Sequence, residues 1–266
     1  MGPLISLEDI TPEWVLLDCR TAAEYQAGHL PGALHADLEA VLSTAQRPGA
    51  DPASGGRHPL PSPGEFAAWL GRQGISPETP VGTYDSARGG AGAARAWWML
   101  QALGHPNAAL LEGDSTAAPW TLDPPPMRPA ALYPAPSTWL LPTVDWPLVD
   151  HARQDAAWKV LDVRSGPRWQ GLTEPIDPVP GRIPGSLHLF WEQNLASDGR
   201  FLPPERLREQ YLDLLDGTPP ERLIVHCGSG VTACHTLLAL ERAELPGARL
   251  YVGSYSEWCR IGMPIR

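Results

Sequence analysis

The chain repeats itself in order, and this constrains its fold more than any other feature. A short apolar run ending in Asp-x-Arg, Val15-Leu16-Leu17-Asp18-Cys19-Arg20, returns as Lys159-Val160-Leu161-Asp162-Val163-Arg164. Gly28-His29-Leu30-Pro31-Gly32-Ala33 returns as Gly181-Arg182-Ile183-Pro184-Gly185-Ser186. Pro80-Val81-Gly82-Thr83-Tyr84-Asp85 returns as Leu223-Ile224-Val225-His226-Cys227, each followed by a glycine-containing loop and an apolar helical stretch, roughly Ala91 to Leu103 and Val231 to Ala243. Last, Ala109-Leu110-Leu111-Glu112-Gly113 before Trp120 returns as Arg249-Leu250-Tyr251-Val252-Gly253 before Trp258. Short apolar runs bounded by Gly and Pro read as buried strands. Strands alternating with helices form a mainly parallel sheet covered by helices on both faces. The repeat therefore predicts two α/β domains.

A length of 266 residues suits two such domains, each with its own core. The predicted division is a first domain over 1–122, a connection over 123–142 and a second domain over 143–266. Asp123 to Pro142 carries seven prolines, which favour extended backbone and deny a helix or a central strand. Leu132, Tyr133, Trp139 and Leu140 within it are expected to be buried, making the connection a strap rather than a tether.

A formal net charge of -10 repels phosphate backbones and anionic lipid surfaces, so neither nucleic acid nor a membrane is expected as a partner. An anionic substrate would need a local concentration of basic side chains. No apolar run reaches the roughly 18 to 20 residues that span a bilayer, and the first ten residues lack the layout of a secretory signal. The expected location is the cytoplasm. Four cysteines, Cys19, Cys227, Cys234 and Cys259, with no C-x-x-C pair, suit free thiols in a reducing compartment and no metal site.

The segment His226-Cys227-Gly228-Ser229-Gly230-Val231-Thr232-Ala233 lies between a predicted strand and a predicted helix. In α/β sheets, ligands bind outside the carboxyl ends of strands, where a loop enters a helix. Glycines there let backbone N–H groups curl round one centre, and the helix N-terminus adds partial positive charge. Both effects stabilise a thiolate or a terminal persulfide anion, which makes Cys227 the candidate nucleophile and Gly228, Gly230, Val231 and Thr232 its candidate cradle. A lone buried cysteine is more often packing, and Cys234, His235, Cys259 and Cys19 are read that way. A cysteine-based phosphatase needs an arginine six residues after its cysteine to clamp phosphoryl oxygens. That position is Ala233.

At these residues the chain resembles the tandem-domain rhodanese sulfurtransferases, over nearly its whole length, and the loop Cys-Gly-Ser-Gly-Val-Thr is similar to that of the 3-mercaptopyruvate type. Arg168-Trp169-Gln170-Gly171 with Glu174-Pro175 is similar to the family's substrate-binding stretch, Gly253-Ser254-Tyr255-Ser256-Glu257-Trp258 to its late turn, and Trp97-Trp98-Met99 to its N-terminal helix. The resemblance implies two rhodanese-like domains, the first without a nucleophile, since Asp85 stands where the second has Cys227. It implies a catalytic triad of Cys227, Ser229 and His58, with Glu39, or in second place Asp37, as acidic partner. His58 also reads as a surface histidine in a Pro/Gly loop. The family presents two arginines to the donor carboxylate. Arg168 matches the first, but the second falls near Ile176-Asp177, where none stands, and Arg182 is the expected substitute.

The implied reaction takes sulfane sulfur from 3-mercaptopyruvate onto Cys227, releases pyruvate, and passes the sulfur to a thioredoxin, a small thiol or cyanide, with no metal or organic cofactor. Thiosulfate is the alternative donor. A non-catalytic persulfide carrier or binding module is a further reading.

Overall fold

Each Asp-x-Arg pair closes on itself and then reaches the Gly-x-x-Pro-Gly turn that follows it. In the computed structural model, which describes residues 2–113 and 119–266, the Asp18 carboxylate accepts the backbone N–H of Arg20 at 3.0 Å and its Nε at 2.9 Å. Arg20 Nη2 then donates to the Gly28 carbonyl at 2.6 Å. Asp162 accepts the Arg164 N–H at 3.0 Å and Nε at 3.1 Å, and Arg164 Nη2 donates to the Gly181 carbonyl at 2.8 Å. Each arginine thus ties the end of one strand to the turn that begins the next, across eight residues in the first copy and seventeen in the second.

By its contacts the chain forms two units. The first comprises Met1–Ser43, Pro61–Leu140 and Ser197–Arg200. Its strands are β1 (Leu4–Ser6), β2 (Val15–Asp18), β3 (Leu34–His35), β4 (Val81–Tyr84) and β5 (Ala108–Glu112), and its helices α1 (Ala22–Ala27), α2 (Pro63–Arg72) and α3 (Gly92–Ala102). The strands form one parallel sheet in the order β1-β5-β4-β2-β3. The second comprises Thr44–Leu60, Leu141–Ala196 and Phe201–Arg266. It carries β6 (Thr143–Val144), α4 (Trp146–Ala152), β7 (Lys159–Asp162), α5 (Gly166–Trp169), β8 (Leu187–His188), α6 (Pro204–Leu215), β9 (Leu223–His226), α7 (Thr232–Arg242), β10 (Arg249–Tyr251) and α8 (Ser254–Trp258). Its sheet is parallel too, in the corresponding order β6-β10-β9-β7-β8.

Burial explains why these runs are strands. All four residues of β2, β4 and β9 are buried, as expected of a parallel sheet covered on both faces. Each fully buried Leu, Ile or Val there contributes about 1.5–3 kcal/mol through area removed from water. Helix starts are written locally. Thr21 and Ser62 form capping boxes with Glu24 and Glu65, and Pro63 occupies the first turn of α2, where a missing N–H costs nothing.

The proline-rich segment from 123 packs with the first unit as far as Leu140. The Ala131 N–H donates to Gly71 O at 2.8 Å, the Leu140 N–H to Ala102 O at 2.8 Å, and Tyr133 Oη meets His105 Nδ1 at 2.7 Å. Tyr133 is buried, but Leu132 and Leu140 are 85% and 62% exposed, against expectation. Neighbouring side chains on extended backbone point to opposite sides, so turning Tyr133 inward turns Leu132 out.

Candidate active site

Strand β9 delivers Cys227 to the carboxyl end of the second sheet, and backbone register identifies its counterpart in the first. Asp162 pairs with His226 across β7 and β9 as Asp18 pairs with Tyr84 across β2 and β4. Cys227 and Asp85 are therefore the equivalent next residues. The Cys227 N–H donates to Ser254 Oγ at 3.2 Å, and its carbonyl accepts from the Tyr255 N–H at 3.0 Å. The Gly228 carbonyl accepts from the Ser256 N–H at 2.9 Å, which staples the loop to the start of α8. Gly230 has φ +73, and a Cβ there would lie 2.5 Å from the Val252 carbonyl, so this turn admits only glycine.

The first unit shows what such a loop does with negative charge. Asp85 Oδ1 accepts the N–H groups of Ala87 and Gly89, both at 2.9 Å, and Oδ2 those of Ala91 at 3.2 Å and Ala93 at 3.0 Å. Four amides converge on one anion, the arrangement expected of a nest at a helix start. In the second unit, Gly228, Gly230, Val231 and Thr232 occupy the loop and first turn that follow Cys227.

Around Gly228 stand two guanidinium groups. A Cβ at Gly228 would lie 3.1 Å from Arg57 Nη2 and 3.3 Å from Arg168 Nη2. Arg168 is fixed by Glu174, which accepts its Nε at 3.0 Å and Nη2 at 2.7 Å, and Glu174 also accepts Arg164 Nη1 at 3.3 Å. Burial acts to raise the Glu174 pKa, but the bonds from Arg168 and from the Asp177 and Ile176 amides outweigh it and hold the carboxyl below its ordinary range. The Asp177 carboxylate, fully buried, accepts Arg57 Nε at 3.1 Å and Arg260 Nη1 at 2.8 Å. In a chain of net charge -10, this gathers four arginines against Asp162, Glu174 and Asp177, the local basic site that an anionic substrate requires.

His58 belongs to the second unit through Thr44–Leu60, and its Nδ1 lies 2.7 Å from Ser229 Oγ. Gly55 N–H donates to Glu257 Oε1 at 2.7 Å and Arg57 N–H to Ser256 Oγ at 3.0 Å, which hold the segment in place. Glu39 lies in the first unit, in a turn where Asp37 Oδ1 accepts its N–H at 2.9 Å and that of Ala40 at 2.8 Å. Arg182 lies with its guanidinium 4.3 Å over the Trp169 ring and donates from Nη1 to the Trp169 carbonyl.

The rhodanese-like domain family matches residues 6–117 and 147–261. The chain belongs to the rhodanese family. The chain is 43% identical over 262 residues to the Pseudomonas aeruginosa protein named "Probable 3-mercaptopyruvate sulfurtransferase", covering 93% of this chain and 89% of that one. It is 33% identical to the rat 3-mercaptopyruvate sulfurtransferase, over 91% of this chain and 80% of the other, and 33% identical to the mouse thiosulfate sulfurtransferase, over 99% and 88%. Among solved structures, the 3-mercaptopyruvate sulfurtransferase from Leishmania major superposes with a TM-score of 0.81 at 26% identity, over 98% of this chain and 75% of that one.

The remaining cysteines, Cys19, Cys234 and Cys259, are buried. Burial, with the Asp85 and Asp18 carboxylates, pushes the Cys19 thiol well up, and burial raises that of Cys259. Cys234 Sγ lies 3.3 Å from Gly230 O, and His235 stacks on Phe201. Sequence reasoning assigned no role to Arg57, Asp177 or Arg260. Arg57 had one signal, its place directly before His58. Asp177 had another, its place in the stretch Ile176-Asp177, near which the resemblance calls for a second arginine.

Proposed function

We propose that the chain is a 3-mercaptopyruvate sulfurtransferase. The observation that carries this is Cys227, at the carboxyl end of a buried strand, next to a glycine flanked by guanidinium groups. A thiolate beside a fixed guanidinium suits a donor that is itself an anion. The relatives named for this activity, at 43% and 33% identity, support the same donor.

In the first half-reaction the Cys227 thiolate attacks the sulfur of 3-mercaptopyruvate while Arg168 holds the donor carboxylate. An S–S bond forms as the donor C–S bond breaks. The bonding pair leaves on carbon as pyruvate enolate, which takes up a proton to give pyruvate. The amides of Gly228, Gly230, Val231 and Thr232 hold the Cys227 persulfide, while Ser229 and His58 manage the proton. In the second half-reaction a thioredoxin thiol, a small thiol or cyanide attacks the outer sulfur and returns the Cys227 thiolate, so turnover is ping-pong. These steps use no metal or organic cofactor. Among the described residues no helix is long and apolar enough to cross a membrane, and the free cysteines suit a reducing cytoplasm.

Thiosulfate is the second reading, favoured by the mouse relative. Both are tested by intact mass after incubation with either donor, with pyruvate followed in parallel. A gain of about 32 Da absent from Cys227→Ser, with pyruvate from 3-mercaptopyruvate, is expected. Loading by thiosulfate alone would move the assignment to that donor, and loading without repeated turnover would make the chain a persulfide carrier.

A further inference from the structure

We infer that Arg57 supplies the second guanidinium of the donor-carboxylate clamp and that Asp177 is its positioning residue; the inference rests on the proposed donor being a carboxylate. Near Ile176-Asp177, where the resemblance calls for a second arginine and none stands, the Asp177 side chain is fully buried. That acid is joined to Arg57 Nε at 3.1 Å across 120 residues of sequence. The ion pair thus places a guanidinium of the 55–58 segment beside this stretch.

Three observations aim this guanidinium at the reaction centre. Its Nη2 and the Nη1 and Nη2 of Arg168 are the three atoms that a Cβ at Gly228 would meet first, at 3.1, 3.4 and 3.3 Å. Gly228 directly follows Cys227, so both forks lie against the residue next to the nucleophile. The backbone behind Arg57 is set by its N–H bond to Ser256 Oγ and by Gly56, whose φ of +79 and lack of room for a Cβ against Ser256 press the segment onto the turn before α8. Asp177 takes the Nε edge of Arg57 and pairs with Arg168 Nη2 at 3.5 Å, so one carboxylate sets the spacing of both forks. Arg260 also meets Asp177, but its Nη1 is shared with Ser256 O and Cys259 Sγ, which makes it a brace. Arg182 is stacked on Trp169. Two guanidinium forks on one side of a glycine match the two oxygens of a planar carboxylate.

The test has a turnover arm and a binding arm, both on the full chain. In steady-state pyruvate release, Arg57→Ala is expected to raise KM for 3-mercaptopyruvate roughly 10- to 100-fold with a smaller change in kcat, the size of one charged hydrogen-bonding group lost. Arg57→Lys, which keeps the charge without the fork, should fall between, and serves if the alanine variant folds poorly. Asp177→Asn should also raise KM, and combining it with Arg57→Ala should add little, since both act through one guanidinium. In the binding arm, calorimetry of 3-mercaptopyruvate with Cys227→Ser protein reads Kd without chemistry, and Arg57→Ala in that background should weaken binding at least about tenfold. Binding that depends on Arg57 in a chain that releases no pyruvate would keep the clamp and overturn the proposed activity. Full turnover with KM and Kd indifferent to Arg57→Ala, dependence on Arg182→Ala instead, or no binding to Cys227→Ser protein would overturn the clamp.

Discussion

His58 Nδ1 lies 2.7 Å from Ser229 Oγ although 171 residues of sequence separate them. A serine hydroxyl two residues beyond the nucleophile, bonded to an imidazole, can relay a proton as the donor's C–S bond breaks. Ser229→Ala and His58→Ala are each expected to lower kcat about 10- to 100-fold, and the double variant to lose little more than either alone. Steady-state pyruvate release measures this. Additive losses would mean that the two residues do not act as one unit.

Gly230 offers a stability test of the loop itself. With φ +73 and the Val252 carbonyl 2.5 Å from where a Cβ would stand, Gly230→Ala should cost at least about 2 kcal/mol and abolish sulfur loading. Gly64, inside α2, has nothing within 4 Å of its Cβ position, and Gly64→Ala should stabilise by about 0.5–1 kcal/mol. Urea denaturation of both variants compares them directly.

Stability should fall with pH in acid, starting below about 6.5. Burial drives the His226 pKa below its ordinary 6.5, so the unfolded chain gains that proton first as pH drops. Burial acts to raise the Asp162 pKa, but His226 and Arg164 outweigh it, and it lies below its ordinary 3.8 as Glu174 lies below 4.5. The stability these two carboxylates confer is complete above those ordinary values and is lost as pH falls through them toward the folded ones. Asp85 acts in the opposite sense, since burial raises its pKa and favours the folded state in acid. Denaturation midpoints between pH 7 and 3 should show the net decline, with Glu174→Gln flattening the part near pH 4.

Cys19 should be inert in the native protein. It is 5% exposed, and burial with the neighbouring carboxylates keeps the thiol protonated near neutral pH. Peptide mass mapping after iodoacetamide at pH 8 should find Cys19 labelled at less than about a tenth of its rate in urea, and Cys19→Ser should retain turnover. Rapid native labelling at Cys19 would contradict this account of its burial.

The parallel sheets and the cysteine loop were legible because each is written in adjacent residues. Val15–Asp18 and Lys159–Asp162 are apolar runs, the Asp-x-Arg pairs close within three residues, and Cys227 is followed by its own glycines. Leu132 and Leu140 were misread as buried because composition says that a strap packs, whereas backbone direction decides which of its side chains does. Arg182 is expected at the second clamp position from its place in the Gly-x-x-Pro-Gly turn; the structure adds that its guanidinium lies 4.3 Å over the Trp169 ring.

Sequence alone determined two α/β halves, one with a cysteine and one with an aspartate at the same strand end, since strand periodicity, turn residues and helix caps are short-range properties of the chain. The resemblance pairs His58 with Ser229, but only the tertiary structure decided the 2.7 Å contact of Nδ1 with Oγ, that Thr44–Leu60 joins the second unit, and that Arg57 is held by Asp177. Those contacts join residues 120 and 171 positions apart. A buried carboxylate selects its guanidinium by distance and desolvation, and neither leaves a periodic mark in the sequence.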